Sequence, residues 1–125
     1  MDVNEVTCHV VDAAMKVHSA LGPGLLESAY EACLQHELIQ RGFDVKRQLA
    51  LPVTYDSIQV DAGYRLDLLV ADTVIVELKA VSELIALHKA QLLSYLKLSG
   101  KKVGLLINFN VVHLREGIKR MVNEL

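Results

Sequence analysis

At 125 residues, 52% of them apolar, the chain has the size of one domain and the material for one packed core, so a single domain spanning residues 1–125 is expected. Charged residues make up 22% with both signs mixed, and seven glycines and two prolines are too few for a disordered or fibrous class. The net charge of −2 argues against a nucleic-acid partner only as an average. Met1 to Glu83 carries six Lys/Arg against thirteen Asp/Glu, and Leu84 to Leu125 carries seven against two.

Val3, Val6, Val10, Ala14, Val17 and Leu21 recur at three- and four-residue spacing, which predicts an amphipathic helix ending at Gly22. Gly22-Pro23-Gly24 forces a turn. A second helix is expected from Leu25 to Arg41, with Leu26, Ala29, Tyr30, Cys33, Leu34 and Leu38 on its apolar side and Gly42 as its stop. The period then changes to two: Leu49, Leu51 and Val53 alternate, Asp56-Ser57 is a turn, and Ile58 to Ala62 reads as a short strand.

Tyr64 to Val70 and Val74 to Ala80 are two further strands. Burying Leu66, Leu68 and Val70 together with Val74, Val76 and Leu78 requires pairing 66 with 78 and 68 with 76 around the loop Ala71 to Thr73. That register sets Asp67 opposite Glu77 and Arg65 opposite Lys79 on the other face. A third helix is expected from Leu84 to Ser99, with Ile85, Leu92, Leu93 and Leu96 inward and His88, Gln91 and Tyr95 on a second stripe. Val103 to Phe109 reads as a strand buried on both faces, and Val111 to Val122 as a closing helix. The order predicts an α/β fold, a mixed β-sheet flanked by helices.

Like charges directly opposite in a sheet repel, so Asp67 and Glu77 call for a compensating cation. Hard oxygen ligands suit Mg²⁺ or Mn²⁺, and Mg²⁺ takes only one or two protein carboxylates, leaving waters and phosphate oxygens to complete its shell. Lys79, on the same face, can orient an attacking water or stabilise charge on a scissile phosphate. The alternative is an exposed ion-pair ladder of these residues with Arg65. Against it, Glu77 and Lys79 interrupt an otherwise apolar strand, where charge is expensive to bury. There is no H-E-x-x-H, P-loop or dinucleotide glycine pattern.

Asp67 followed by Glu77-Leu78-Lys79, in this order of elements, resembles the PD-(D/E)xK phosphodiesterase signature and its restriction-endonuclease-like fold, with Leu66 in the place of the proline. Gly24-Leu25-Leu26-Glu27-Ser28-Ala29-Tyr30 resembles the motif of the GxxExxY family of that superfamily. The resemblance implies that Asp67 and Glu77 hold Mg²⁺ or Mn²⁺, joined by the Leu78 carbonyl, and that Lys79 is the catalytic lysine. It also implies that Glu27 completes the metal shell, although a carboxylate in a first helical turn equally suits the helix dipole. Gln91 and Tyr95 resemble the Q-x-x-x-Y motif of RecB-type nucleases and would bind phosphate or support Lys79. Tyr30 has a plain core-packing reading, and His18 and His88 are candidates for the site's periphery.

The partner so implied is nucleic acid, DNA before RNA, gripped through Arg65, Lys89, Lys97, Lys101 and Lys102. A catalytically silent binding or assembly module on the same fold is the competing reading, and a homodimer is plausible. Cys8 and Cys33 lack C-x-x-C spacing and no basic-then-apolar leader is evident, so a cytoplasmic location is expected. No membrane partner is expected, because no apolar run approaches the ~20 residues of a membrane span.

Overall fold

The computed structural model describes residues 1–124. Helix α1 (Val3–Leu21) is capped by the Asp2 carboxylate, which accepts the Glu5 N–H, and it buries the stripe Val6, Val10, Ala13, Ala14 and Val17. Gly22 leaves the helix at a φ of 69°, which a side chain would resist. Helix α2 (Glu27–Gln40) begins two residues later than its pattern suggests. The Leu25 N–H is taken by the Tyr30 hydroxyl, which itself donates to the Gly22 carbonyl at 2.6 Å. Tyr30 therefore ties down the Gly-Pro-Gly turn while its ring stacks on Phe109 with centroids 4.5 Å apart, so the core-packing reading holds.

Seven strands follow: β1 (Val45–Ala50), β2 (Val53–Tyr55), β3 (Ile58–Val60), β4 (Arg65–Val70), β5 (Val74–Lys79), β6 (Val103–Asn108) and β7 (Ile118–Val122). Strands β2 and β3 form a small hairpin of their own around Asp56 and Ser57, both at positive φ as a two-residue turn requires. The others make a sheet in the order β1-β4-β5-β6-β7, in which only β5 and β6 run parallel. Helix α3 (Ala86–Ser99) provides the crossover between them.

Both faces of the sheet are covered. The α1–α2 hairpin packs on Leu68, Val70, Val74, Val76 and Leu78, and α3 buries Leu92, Tyr95 and Leu96 against Leu69, Ile75 and Leu106. The expected mixed sheet flanked by helices, of the restriction-endonuclease-like class, is observed.

Leu26 and Ile85, expected on inward helix faces, are exposed, and two larger expectations also fail. Val111 to Val122 is not a helix: a 3₁₀ turn at Leu114–Gly117 leads into β7, which pairs antiparallel with β6. The apolar spacing of Val111, Leu114, Ile118 and Met121 imitates a helix, but without β7 the buried strand β6 would present an unpaired edge. Gly117 also approaches Asn108 so closely that an added Cβ would collide with its carbonyl oxygen. The second failure is Leu66, which packs with the α3-side cluster rather than with Leu68. Strand alternation reverses between these two residues, at Asp67.

Candidate functional site

Strands β4 and β5 pair as their apolar pattern requires, Leu68 with Val76, Leu69 with Ile75 and Val70 with Val74, around a loop of Ala71, Asp72 and Thr73. The main-chain ladder ends at Leu68–Val76; beyond it Asp67 and Glu77 meet through side-chain hydrogen bonds, and the expected opposition of Arg65 and Lys79 is not among the pairs formed. The Lys79 carbonyl faces β6, where it accepts the Phe109 N–H, so Leu78 turns its own N–H and carbonyl toward β4. Its N–H donates to Asp67 Oδ2 at 2.9 Å, and the Asp67 N–H donates to Glu77 Oε1 at 3.1 Å. Two side-chain carboxyl groups replace the missing main-chain partners.

Glu77 is only 5% exposed. Burial first, then the negative charge of Asp67, push its carboxyl up to about 9, and the Asp67 N–H and the Lys79 ammonium offset only part of this. Without a cation it keeps its proton at neutral pH. Lys79 reaches out from the end of β5, its ammonium 3.4 Å from Gln91 Oε1 on α3. One turn along α3, Tyr95 packs in the core beside Tyr64, and burial together with Glu77, Tyr64 and Asp67 raises its phenol above the usual value. Asp67, Glu77, Lys79, Gln91 and Tyr95 thus gather at one end of the sheet. The chain just past Lys79 is clamped there by buried Asn108, whose amide both donates to and accepts from the Val81 backbone.

The remaining candidates are placed otherwise. Glu27 is exposed in the first turn of α2, and no hydrogen bond ties it to the carboxyl pair. The acid that α2 turns inward is Glu31, 5% exposed, which accepts from Arg47 Nε at 2.9 Å and from Gln48 Nε2 at 2.9 and 3.0 Å. Gln48 Nε2 also lies 3.2 Å from Asp67 Oδ1, linking Glu31 to the pair. Sequence reasoning missed all three residues. Glu31 had a signal, since it shares the buried stripe of Leu34 and Leu38, where a charge is anomalous; Gln48 had none.

His18 is buried beside Phe109, and its Nε2 hydrogen-bonds with the Val111 carbonyl. His88 Nδ1 accepts the Ile85 N–H at the start of α3. Arg65 is exposed, 3.4 Å from the Gln48 carbonyl.

The expected basic surface is divided. Because β5 and β6 are parallel, α3 must carry the chain from the Lys79 end back to the far end of the sheet. Lys97 and Lys102 go with it, and so does Lys101, which pairs with Asp72 at the β4–β5 loop. Arg65 and Lys89 stay near the carboxyl end.

Residues 4–121 match the family model of the PD-(D/E)XK nuclease superfamily. The chain belongs to this superfamily. No curated protein and no solved structure matches it. PD-(D/E)XK nucleases typically use divalent metals, and the donor set here fits one. Asp67 and Glu77 present hard oxygens at the break in the ladder, and by strand alternation the Leu78 carbonyl turns toward the same gap. A carboxylate accepts about four hydrogen bonds, so the two made by Asp67 leave lone pairs free. Among the described residues no three His, Cys, Asp or Glu side chains cluster so as to hold a metal ion. No helix among the described residues is long and apolar enough to cross a membrane.

Proposed function

We propose that this PD-(D/E)XK domain, of the GxxExxY type by its Gly24 to Tyr30 motif, is a phosphodiesterase that hydrolyses nucleic acid, DNA before RNA. Asp67 and Glu77 would hold Mg²⁺ or Mn²⁺ together with the Leu78 carbonyl. The observation that carries the reading is the break in the β4–β5 ladder, where two carboxyl groups face one another beside Lys79. A divalent ion held there would supply Lewis-acid stabilisation of charge on the phosphoryl group.

The protein's own residues do the rest. The Lys79 ammonium, held toward the site by Gln91, stabilises charge developing on the scissile phosphate or orients the attacking water. Tyr95, its hydroxyl proton held more tightly than usual, serves as a hydrogen-bond donor to a phosphate oxygen. Arg65 and Lys89 flank this end and position the backbone of the substrate. The free thiols of Cys8 and Cys33 are in keeping with a reducing cytoplasmic compartment.

Cleavage of labelled single- and double-stranded DNA by the purified protein, with Mn²⁺, Mg²⁺ or chelator, tests the reading. Metal-dependent cleavage that is lost in Asp67→Asn and in Glu77→Gln is expected. Tight divalent binding without cleavage of any DNA or RNA would favour the silent binding module instead.

A further inference from the structure

We propose that Gln48 is a positioning residue for the carboxyl site, its amide holding the Asp67 carboxylate in the orientation that receives a divalent cation, with Glu31 and Arg47 as its anchor. This rests on the metal-assisted reading above.

The first support is the backbone. Gln48 has a φ of 52° inside a strand, a region that side chains disfavour and that persists where the surroundings impose it. Strand β1 pairs with β4 at Arg47–Leu68 and at Leu49–Leu66, but no pair forms between Gln48 and Asp67. On either side of that gap both strands change face. Arg47 reaches Glu31 on the α2 side and Leu68 packs there too, whereas Leu49 and Leu66 join the cluster under α3. The left-handed turn of Gln48 thus accompanies the same face reversal that brings Asp67 to Glu77.

The second support is the hydrogen-bond inventory. One amide nitrogen meets three carboxylate oxygens, two of Glu31 and one of Asp67, within 3.2 Å. Turning the amide over would set its oxygen against all three, so the nitrogen must face them. Arg47 balances the Glu31 charge and keeps that carboxylate fixed, which in turn fixes the amide. Asp67 is then held at both oxygens, Oδ1 by Gln48 and Oδ2 by the Leu78 N–H. Two-point attachment sets the carboxylate plane and leaves the outer lone pairs for the ion.

Calorimetric Mn²⁺ titration of the full chain, with thermal unfolding of each variant, tests the role without reference to turnover. Gln48→Gly deletes the amide and accepts the backbone conformation. If it does not fold, Gln48→Asn also tolerates that conformation and falls one methylene short of Asp67. The expected result is Mn²⁺ binding by the parent, none by Asp67→Asn, and affinity weakened about tenfold or more in a cooperatively folded Gln48 variant. Affinity within twofold of the parent in a folded Gln48 variant, with Asp67→Asn still inert, overturns the positioning role and leaves the nuclease reading standing. A parent that binds no Mn²⁺, or an Asp67→Asn variant that binds like the parent, removes both.

Discussion

The two ends of the β4–β5 hairpin are made from the same strands and differ in what satisfies their backbones. At the loop end, Leu68 to Val70 and Val74 to Val76 exchange main-chain hydrogen bonds, and every side chain is apolar and buried. At the open end the Asp67 and Leu78 N–H groups go to carboxyl oxygens, and Leu66 crosses to the opposite face. The strands at the loop end keep the rules of apolar pairing and burial, the only local strain being the positive φ of Ala71 and Asp72 in the loop itself. The open end departs from those rules by setting acids opposite one another and burying Glu77, an arrangement that costs stability and that the proposed metal site would account for.

If this division is right, substitutions at the two ends should separate stability from metal chemistry. Leu68→Ala, in the fully buried loop half, is expected to lose ~2–5 kcal/mol of stability in denaturant titration while leaving Mn²⁺ affinity unchanged. Lys79→Ala is expected to spare stability and impair cleavage. Its cleavage rate should fall about 10²–10³-fold in single-turnover assays with little change in unfolding midpoint.

Tyr30→Phe sharpens the contrast away from the site. It leaves the Gly22 carbonyl and the Leu25 N–H without their partner and should cost about 1–3 kcal/mol on thermal unfolding, with metal affinity unaltered. The most gradual change is expected from pH. The Glu77 carboxyl is raised from 4.5 to about 9, so the metal-free folded state binds more protons than the unfolded one in that interval. The contribution of Glu77 to stability is then fullest below pH 4.5 and is lost as pH rises toward 9, by no more than ~1.4 kcal/mol per pH unit. Melting the metal-free protein across this range checks it, and Glu77→Gln should flatten the decline.

Much of this was legible in the sequence because it depends on apolar periodicity. The α1–α2 hairpin and the Asp56-Ser57 turn follow from local spacing, and the β4–β5 register follows from burying Leu68 and Val70 against Val74 and Val76. The juxtaposition of Asp67 and Glu77 came with that register. What escaped depends on contacts distant in the chain. Strand β7 forms because β6 needs a neighbour, although the spacing from Val111 to Met121 suits a helix. Glu31 rather than Glu27 faces inward because Tyr30 fixes the rotation of α2 by bonding to the Gly22 turn. Gln48 escaped because a left-handed residue within a strand has no compositional mark unless it is glycine or asparagine.

The division of the hairpin is tested most directly by titrating Mn²⁺ into ¹⁵N-labelled protein and following paramagnetic broadening of its amide signals. The signals of Gln48, Asp67 and Leu78 should broaden first, while those of Val70 to Val74 persist at the same Mn²⁺ concentration. Broadening centred elsewhere, such as the acids of the β2–β3 hairpin at Asp56 and Asp61, or spread evenly over the surface, would contradict the assignment of the open end as the metal-binding site.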